Sequence, residues 1–270
     1  MRRKYLFILI LSLVGTIHSN AQTLKPRQLL KKVDSSLANI KTIIYKMDRV
    51  EQSFGDNDTL RRSAVCSLHI QPKDKIGTHH IVDIKYPENK YEHRKYDGTY
   101  TSIFNYHADS LSTTGKVKIQ NAAQTNYNSI VGAAVRSFIL VDYFKKPTVF
   151  SQGRSILARF FIKKMEVVED VYQDKPVYVL IIYGKNREGS TTHISNAIMK
   201  YYIRKSDFLP VAHSLYGEFD GLKINEYYSI EYLAINPELT LEDFKVDVNV
   251  TEMNPGPVYK RVSEYLPANP

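Results

Sequence analysis

Three histidines have the side chain that most often binds transition metals, and they are the first candidates for chemistry in this sequence. They are His79, His80 and His93, and no acidic or sulfur ligand lies at a recognised metal-site spacing from them. The pattern places them on separate or exposed strand positions. Solvated surface histidines are therefore the simpler interpretation, and a metal site is the alternative.

Cys66 is the only cysteine, and its two candidate roles are a nucleophile and a buried thiol. It shares one face of a predicted strand with Ala64 and Leu68. An apolar strand face is normally buried, and a buried thiol is unreactive. We therefore predict an inert core residue. Because the chain cannot form an internal disulfide, its core alone must hold it together.

Short catalytic motifs are absent from the sequence, including G-x-x-x-x-G-K-[ST], G-x-G-x-x-G and H-E-x-x-H. The stretch Gly153-Arg154-Ser155-Ile156-Leu157 lacks the second glycine of a nucleophile elbow. Asp56-Asn57-Asp58 looks like part of a calcium loop but lacks the Gly and Glu that should follow, so a hairpin turn explains it better. We predict no catalytic residue, metal or cofactor, and hence a protein that is not an enzyme.

The first residues have the pattern of an export signal. Residues 1–21 contain three adjacent basic residues, a short apolar run and a small-x-small cleavage site. The run is shorter than the roughly 20 residues that cross a bilayer, and Gln22 occupies the position of a lipoprotein cysteine. We expect a cleaved signal peptide and a soluble periplasmic or secreted protein that is not a lipoprotein. An uncleaved anchor is the alternative.

The elements that must position any site follow from hydrophobic periodicity. Apolar residues at helical spacing predict a helix after Pro26: Leu29, Leu30, Val33, Leu37 and Ile40. A second helical pattern covers 127–139. The remaining apolar runs, separated by turn residues, predict ten strands: Ile43 to Ser53, Ala64 to Ile70, Thr78 to Tyr86, Lys90 to Tyr96, Thr99 to Tyr106, Ile156 to Val168, Val177 to Tyr183, Thr191 to Arg204, Val211 to Phe219 and Leu222 to Ala234.

This order predicts an α+β fold with one antiparallel sheet. Since a sheet of about ten strands rarely stays flat, we expect a strongly curved open half-barrel with helices covering the concave face. A polar stretch, Ala108 to Lys116, ends the first group of strands. The predicted organisation is a signal peptide (1–21), a half-barrel domain (22–250) and an irregular C-terminal tail (251–270).

Three passages carry a family resemblance: Ile40-Lys41-Thr42-Ile43, Tyr96-Asp97-Gly98-Thr99, and the segment from Tyr201 to Val211 that contains Leu209-Pro210-Val211. Asn236-Pro237 and Phe244 add a closing segment. Together they resemble the LolA-like carriers and the wider outer-membrane lipoprotein-sorting family, over Leu24 to Val248. The chain is also similar to the N-terminal extension of some exported thioredoxin-like proteins, although it has no Cys-x-x-Cys.

The resemblance implies a half-barrel whose concave face shelters an acyl chain or another hydrophobic ligand. Such binding needs apolar inward-facing residues, because burial of each methylene contributes about 0.8 kcal/mol. The candidate lining residues are Tyr45, Met47, Leu68, Ile84, Phe104, Phe138, Phe160, Val179 and Ile181. A filled core made by the same residues is the alternative.

The first functional hypothesis is an exported, non-catalytic carrier of a hydrophobic small molecule or a lipoprotein acyl chain. The alternative is an accessory module of an envelope assembly that docks a protein partner and has no ligand. The net charge of +9 falls to +6 without the signal, with 34 basic and 28 acidic residues. Export excludes nucleic acid as a partner. The scattered basic pairs are compatible with peripheral contact with an anionic membrane surface or with a solvated face.

Overall fold

The structure is a computed structural model, and it describes residues 24–52, 59–122, 162–186, 195–219 and 222–266. The predicted signal peptide, the helical pattern at 127–139 and the turn at Asp56-Asn57-Asp58 lie outside the described residues. None of the helices described in these ranges is long and apolar enough to cross a membrane.

The described chain forms twelve strands and two α-helices. The helices are α1 (Pro26–Ala38) and α2 (Pro255–Tyr265), and short 3-10 helices cover Ala108–Ser110 and Leu241–Phe244. The strands are β1 (Thr42–Gln52), β2 (Thr59–Ile70), β3 (Thr78–Lys85), β4 (Lys90–Tyr96), β5 (Tyr100–His107), β6 (Gly115–Asn121), β7 (Ile162–Tyr172), β8 (Lys175–Gly184), β9 (Ser195–Arg204), β10 (Pro210–Phe219), β11 (Leu222–Ile235) and β12 (Glu252–Met253).

All twelve strands belong to one antiparallel sheet in the order β12-β6-β5-β4-β3-β2-β1-β11-β10-β9-β8-β7. Two meanders, β1 to β6 and β7 to β11, join where β1 pairs with β11. The predicted antiparallel sheet is therefore confirmed, with two more strands than expected.

The sheet curves around α1. One continuous core cluster contains side chains of α1 and of strands from β4 to β7 in the sheet order, and α1 also contacts β7 directly. In a flat sheet these two strands would lie about 38 Å apart, whereas a helix is only about 10 to 12 Å wide. One core cluster that includes this helix joins strands so far apart in the sheet order only if the sheet bends around it, so the open, curved half-barrel is confirmed.

Helix α1 forms because its apolar side chains share one face. Leu29, Val33 and Leu37 are at most 2% exposed, and Pro26 occupies the first turn, where its missing N–H costs nothing. The helix exit is fixed by the side chain of Asn236. Its Oδ1 accepts the Lys41 backbone N–H (2.7 Å), and its Nδ2 donates to the Asn39 carbonyl (3.1 Å).

The turn between β4 and β5 depends on Asp97 and Gly98. One oxygen of Asp97 accepts the backbone N–H groups of Thr99 and Tyr100, at 2.8 and 2.7 Å, and the other accepts that of Val246 at 3.0 Å. Gly98 has φ +93°, and a Cβ there would lie 2.6 Å from His79 Nε2. Both backbone conformation and space therefore require glycine.

Two predictions about irregular segments are wrong. The polar stretch from Ala108 to Lys116 does not end the first meander, because β6 follows it and pairs with β5. The tail predicted over 251–270 contains β12 (Glu252–Met253) and α2 (Pro255–Tyr265), so it is not irregular. Helix α2 begins at Pro255 after the N-cap Asn254, whose side chain accepts the Gly256 N–H at 2.9 Å.

Candidate functional site

The face of the sheet that packs on α1, here called the inner face, is the candidate functional surface. Its side chains come from alternate positions of aligned strands, as in the ladder Tyr45, Cys66 and Val82 on β1, β2 and β3. Four predicted lining residues lie on this face and are at most 2% exposed: Tyr45, Met47, Leu68 and Ile84. They are packed into the core beside α1, and their contact with a ligand stays a prediction.

Three other predicted lining residues, Phe104, Val179 and Ile181, lie on the opposite, outer face. Ile103 of β5 is aligned with inner-face residues, so Phe104 points away from them and packs under α2. In β8 Leu180 faces the core, so its neighbours Val179 and Ile181 point to the outer face. The prediction that these three share the concave lining is wrong, because one step along a strand reverses the face. Phe138 and Phe160 lie outside the described residues.

A row of polar and aromatic side chains crosses the inner face, one from each of five adjacent strands and a sixth from Tyr86, the residue that follows β3. In sheet order this polar row consists of Tyr201, His213, Tyr228, Arg49, Arg62 and Tyr86. Its rings are in contact, with centroids 4.5 Å apart for Tyr201 and His213 and 5.5 Å apart for His213 and Tyr228. The guanidinium of Arg49 lies 4.8 Å from the centre of the Tyr228 ring. All except Tyr201 are half-buried.

The charges of the polar row are balanced by two glutamates. Glu51 forms ion pairs with both Arg49 and Arg62, and the Tyr228 hydroxyl donates to Glu226. Burial lowers the pKa of both arginines. Burial and the hydrogen bond to Glu226 both raise the pKa of Tyr228. Arg62 forms one of the scattered basic pairs with Arg61, and its side chain is only 18% exposed.

Beside the polar row lies an apolar strip that is only partly covered. This methionine strip consists of Met165, Ile182, Met199 and Leu215, one from each of β7 to β10. Ile182 is buried, and the other three are half-buried. The inner face therefore combines a packed core, a polar row and a partly open apolar strip.

Two of the three histidines are buried, so the interpretation of a solvated set is wrong. His80 lies on the inner face with no exposed area, and His93 is 6% exposed on the outer face. His93 Nδ1 lies 2.6 Å from Asp83 Oδ1, directly across the β3–β4 pair. The opposite faces also separate His80 from His93. Within the described ranges no three His, Cys, Asp or Glu residues are grouped to hold a metal ion.

Cys66 is the buried thiol that the strand pattern predicts. It has no exposed area, and Ala64 and Leu68 beside it are equally buried. Burial raises the pKa of the thiol well above its usual range. Since the thiolate is the reactive form, this side chain belongs to the core.

The substitution His80→Gln tests the burial of His80 through the pH dependence of the free energy of unfolding. Burial lowers the pKa of His80 from 6.5 to about 3, so between these values the unfolded chain binds a proton that the folded chain does not. The contribution of neutral His80 is complete above pH 6.5 and is lost as the pH falls. Between pH 7.5 and 5 we expect the wild type to lose about 2 kcal/mol more than His80→Gln, measured by urea unfolding. Equal losses in the two proteins would contradict this expectation.

An open cleft of about 750 Å³ lies at one end of β7 to β9. Its lining includes Lys164, Tyr183 and Ile198. Lys164 forms an ion pair with Glu166, which also accepts the Tyr183 hydroxyl at 2.5 Å. Within β9, Ile198 of this cleft and Met199 of the methionine strip point to opposite faces, so the two neighbouring residues can report on the cleft and the strip separately.

Comparisons with known proteins find solved structures of low similarity and no close relative. No protein-family model matches the chain, and no curated protein matches it significantly. Among solved structures, the chain is similar to MucB of Pseudomonas aeruginosa in complex with MucA, with 9% identity, a TM-score of 0.39, and coverage of 82% of this chain and 61% of that one. It therefore spans about three fifths of the MucB chain.

Two further similar structures have names from the family that the sequence resembles. One is a putative outer membrane lipoprotein-sorting protein domain from Vibrio parahaemolyticus, with 9% identity, a TM-score of 0.31, and coverage of 82% and 96% of the two chains. The other is a LolA superfamily protein from Nitrosomonas europaea, with 12% identity, a TM-score of 0.27, and coverage of 83% and 98%.

Proposed function

We propose that this chain is an exported, non-catalytic protein that binds a hydrophobic ligand on the inner face of its curved sheet. The observation that supports this function best is the methionine strip. Met165, Met199 and Leu215 are half-buried although they continue a face that is otherwise packed. Apolar side chains left partly open inside a concavity can bury an acyl chain, and methionine adapts to chains of varied shape.

The polar row beside the strip indicates what kind of hydrophobic ligand fits. A purely apolar ligand would remove water from Arg49, Arg62 and Tyr228 without replacing its hydrogen bonds, at a cost. An amphipathic molecule avoids that cost, because its chain covers the strip while its polar groups stay near the row. We therefore propose a lipid or acyl chain with a polar end.

Binding is tested with protein purified from cells and with two matched variants. Native mass spectrometry should show co-purified lipid, and a fluorescent fatty acid should bind and be displaced by unlabelled lipid. Met199→Gln should weaken this binding about tenfold, because it places an amide against the acyl chain. Ile198→Gln changes the preceding residue, which points to the outer face and lines the cleft, and should leave binding unchanged.

Two results would overturn the proposal. A clean apo mass together with no displacement would remove the ligand and leave the docking module as the surviving hypothesis. If Ile198→Gln weakened binding and Met199→Gln did not, the ligand would lie in the cleft at the end of β7 to β9 instead.

A further inference from the structure

Three buried polar side chains on the inner face have atoms without a hydrogen-bond partner. They are His80 of β3, Arg94 of β4 and Thr101 of β5, each at most 3% exposed. The atoms concerned are His80 Nε2, Arg94 Nε and Nη1, and Thr101 Oγ1. Buried polar atoms are nearly always satisfied in folded proteins, so a group of them on adjacent strands needs an explanation.

The three side chains surround one residue of the central strand. Tyr96 of β4 is aligned with His80 on one side and with Thr101 on the other, and Arg94 precedes it by two positions on the same face. The rings of His80 and Tyr96 are 5.1 Å apart. Because directly opposed residues on neighbouring strands have Cβ atoms about 5 Å apart, the unpartnered atoms lie within one small region of the inner face.

Arg94 determines the chemistry of this region. Its guanidinium contacts Glu92 through Nη2, while Nε and Nη1 have no partner. The residues aligned with it across the sheet, Val82 and Ile103, are apolar and offer no acceptor. Arginine nitrogens only donate, and the acceptor beside them, Glu92 Oε1, contacts Nη2, so Nε and Nη1 need further acceptor oxygens. The Thr101 hydroxyl can also donate, and Nε2 of neutral His80 donates or accepts according to its tautomer.

We propose that His80, Arg94 and Thr101 form the subsite for the oxygen-bearing head of an acyl ligand, a free carboxylate or an ester carbonyl. This inference rests on the proposed function. Tyr96, beside Arg94, and Ile182, in the methionine strip, belong to the same continuous core cluster. The subsite and the strip therefore lie on the same inner face, and the proposal places the head at β3 to β5 and the chain toward β7 to β10.

The test compares three probes of equal chain length: palmitic acid, methyl palmitate and hexadecylamine. The acid, the ester or both should bind the wild type at least tenfold more tightly than the amine, which has no acceptor oxygen and carries a positive charge. Arg94→Met should weaken binding of the favoured probe at least tenfold and leave the amine unchanged or improved. As a control, Lys95→Met also replaces a basic side chain by methionine, but at the next residue, which faces outward, and it should change binding of none of the three probes.

Thr101→Val keeps the experiment decisive if Arg94→Met does not fold. Valine has the shape of threonine without its hydroxyl, so it removes one unsatisfied group. The thermal midpoint of the ligand-free protein should stay the same or rise, while binding of the favoured probe falls about fivefold. A lower midpoint with unchanged binding would show that an ordered water satisfies the hydroxyl, and it would overturn the subsite.

The outcomes separate the two proposals. If all three probes bind equally and the variants alter none of them, the subsite is wrong while a hydrophobic carrier survives. If no probe binds the wild type and no lipid co-purifies, the proposed function itself fails. A preference for the acid over the ester identifies a free fatty acid, and the reverse identifies an esterified chain.

Discussion

Phe104→Ala is expected to lower the free energy of unfolding by about 3 to 5 kcal/mol, the usual cost of removing a fully buried aromatic ring. Phe104 is 1% exposed, and its ring stacks on that of Tyr106 with centroids 5.3 Å apart. A Cβ on Gly115 would lie 2.7 Å from the Phe104 ring, so the ring fills its space closely. Urea unfolding monitored by circular dichroism measures the change.

Its control is an exposed aromatic residue on the same outer face. Tyr216 is 42% exposed, and Tyr216→Ala should cost less than about 1 kcal/mol. Phe104→Ala should also leave ligand binding by the remaining folded protein unchanged, because Phe104 faces away from the inner concavity. A large loss of affinity without a loss of stability would place Phe104 in the ligand site, contrary to the sheet register.

Leu29→Ala is expected to cost about 2 to 5 kcal/mol. Leu29 has no exposed area and lies in the α1 face that packs against the inner core. Its removal leaves a cavity where the curved sheet surrounds the helix, and neighbours on both sides are too closely packed to fill it. Urea unfolding measures the loss of unfolding free energy. If the sheet remains intact, the slope of that free energy against urea concentration should not change.

Lys31→Ala on the same helix provides the comparison. Lys31 is exposed, and alanine favours a helix slightly more than lysine does, so the change should stay within about 0.5 kcal/mol. Equal effects of the two substitutions would mean that α1 is not packed on the sheet.

Most strands could be predicted because their apolar runs are bounded by turn residues, but the face of each side chain needed one further step. The turn Pro87-Glu88-Asn89 sets the β3–β4 register, and counting outward from it places Asp83 opposite His93. The same counting from the Asp97-Gly98 turn aligns Thr101 with Tyr96, which puts Phe104 on the other face. The two local turns therefore predict the buried Asp83–His93 pair and the grouping around Arg94. They would also have placed Phe104 correctly on the outer face.

Other features had weaker signals or none. Helix α2 was not predicted because it begins with Pro255, Gly256 and Pro257, which are typical of irregular segments. Prolines are nevertheless accepted in a first helical turn, and Val258 and Val262 have helical spacing. The polar row could not be assembled from the sequence. It depends on the pairing of β1 with β11, which no turn connects, and on an irregularity in that pairing between Ile44 and Tyr45.

The β1–β11 pairing also has a consequence for how the chain folds. The contacts that close the helix exit at this junction join Lys41 to Asn236, which are 195 residues apart. Pairings of such long range must overcome a large loop-closure entropy, so they form late and slowly. Until β11 arrives, one edge of β1 has unpaired backbone groups that can pair with another chain. We expect refolding to be limited by this junction and to yield more aggregate as protein concentration rises.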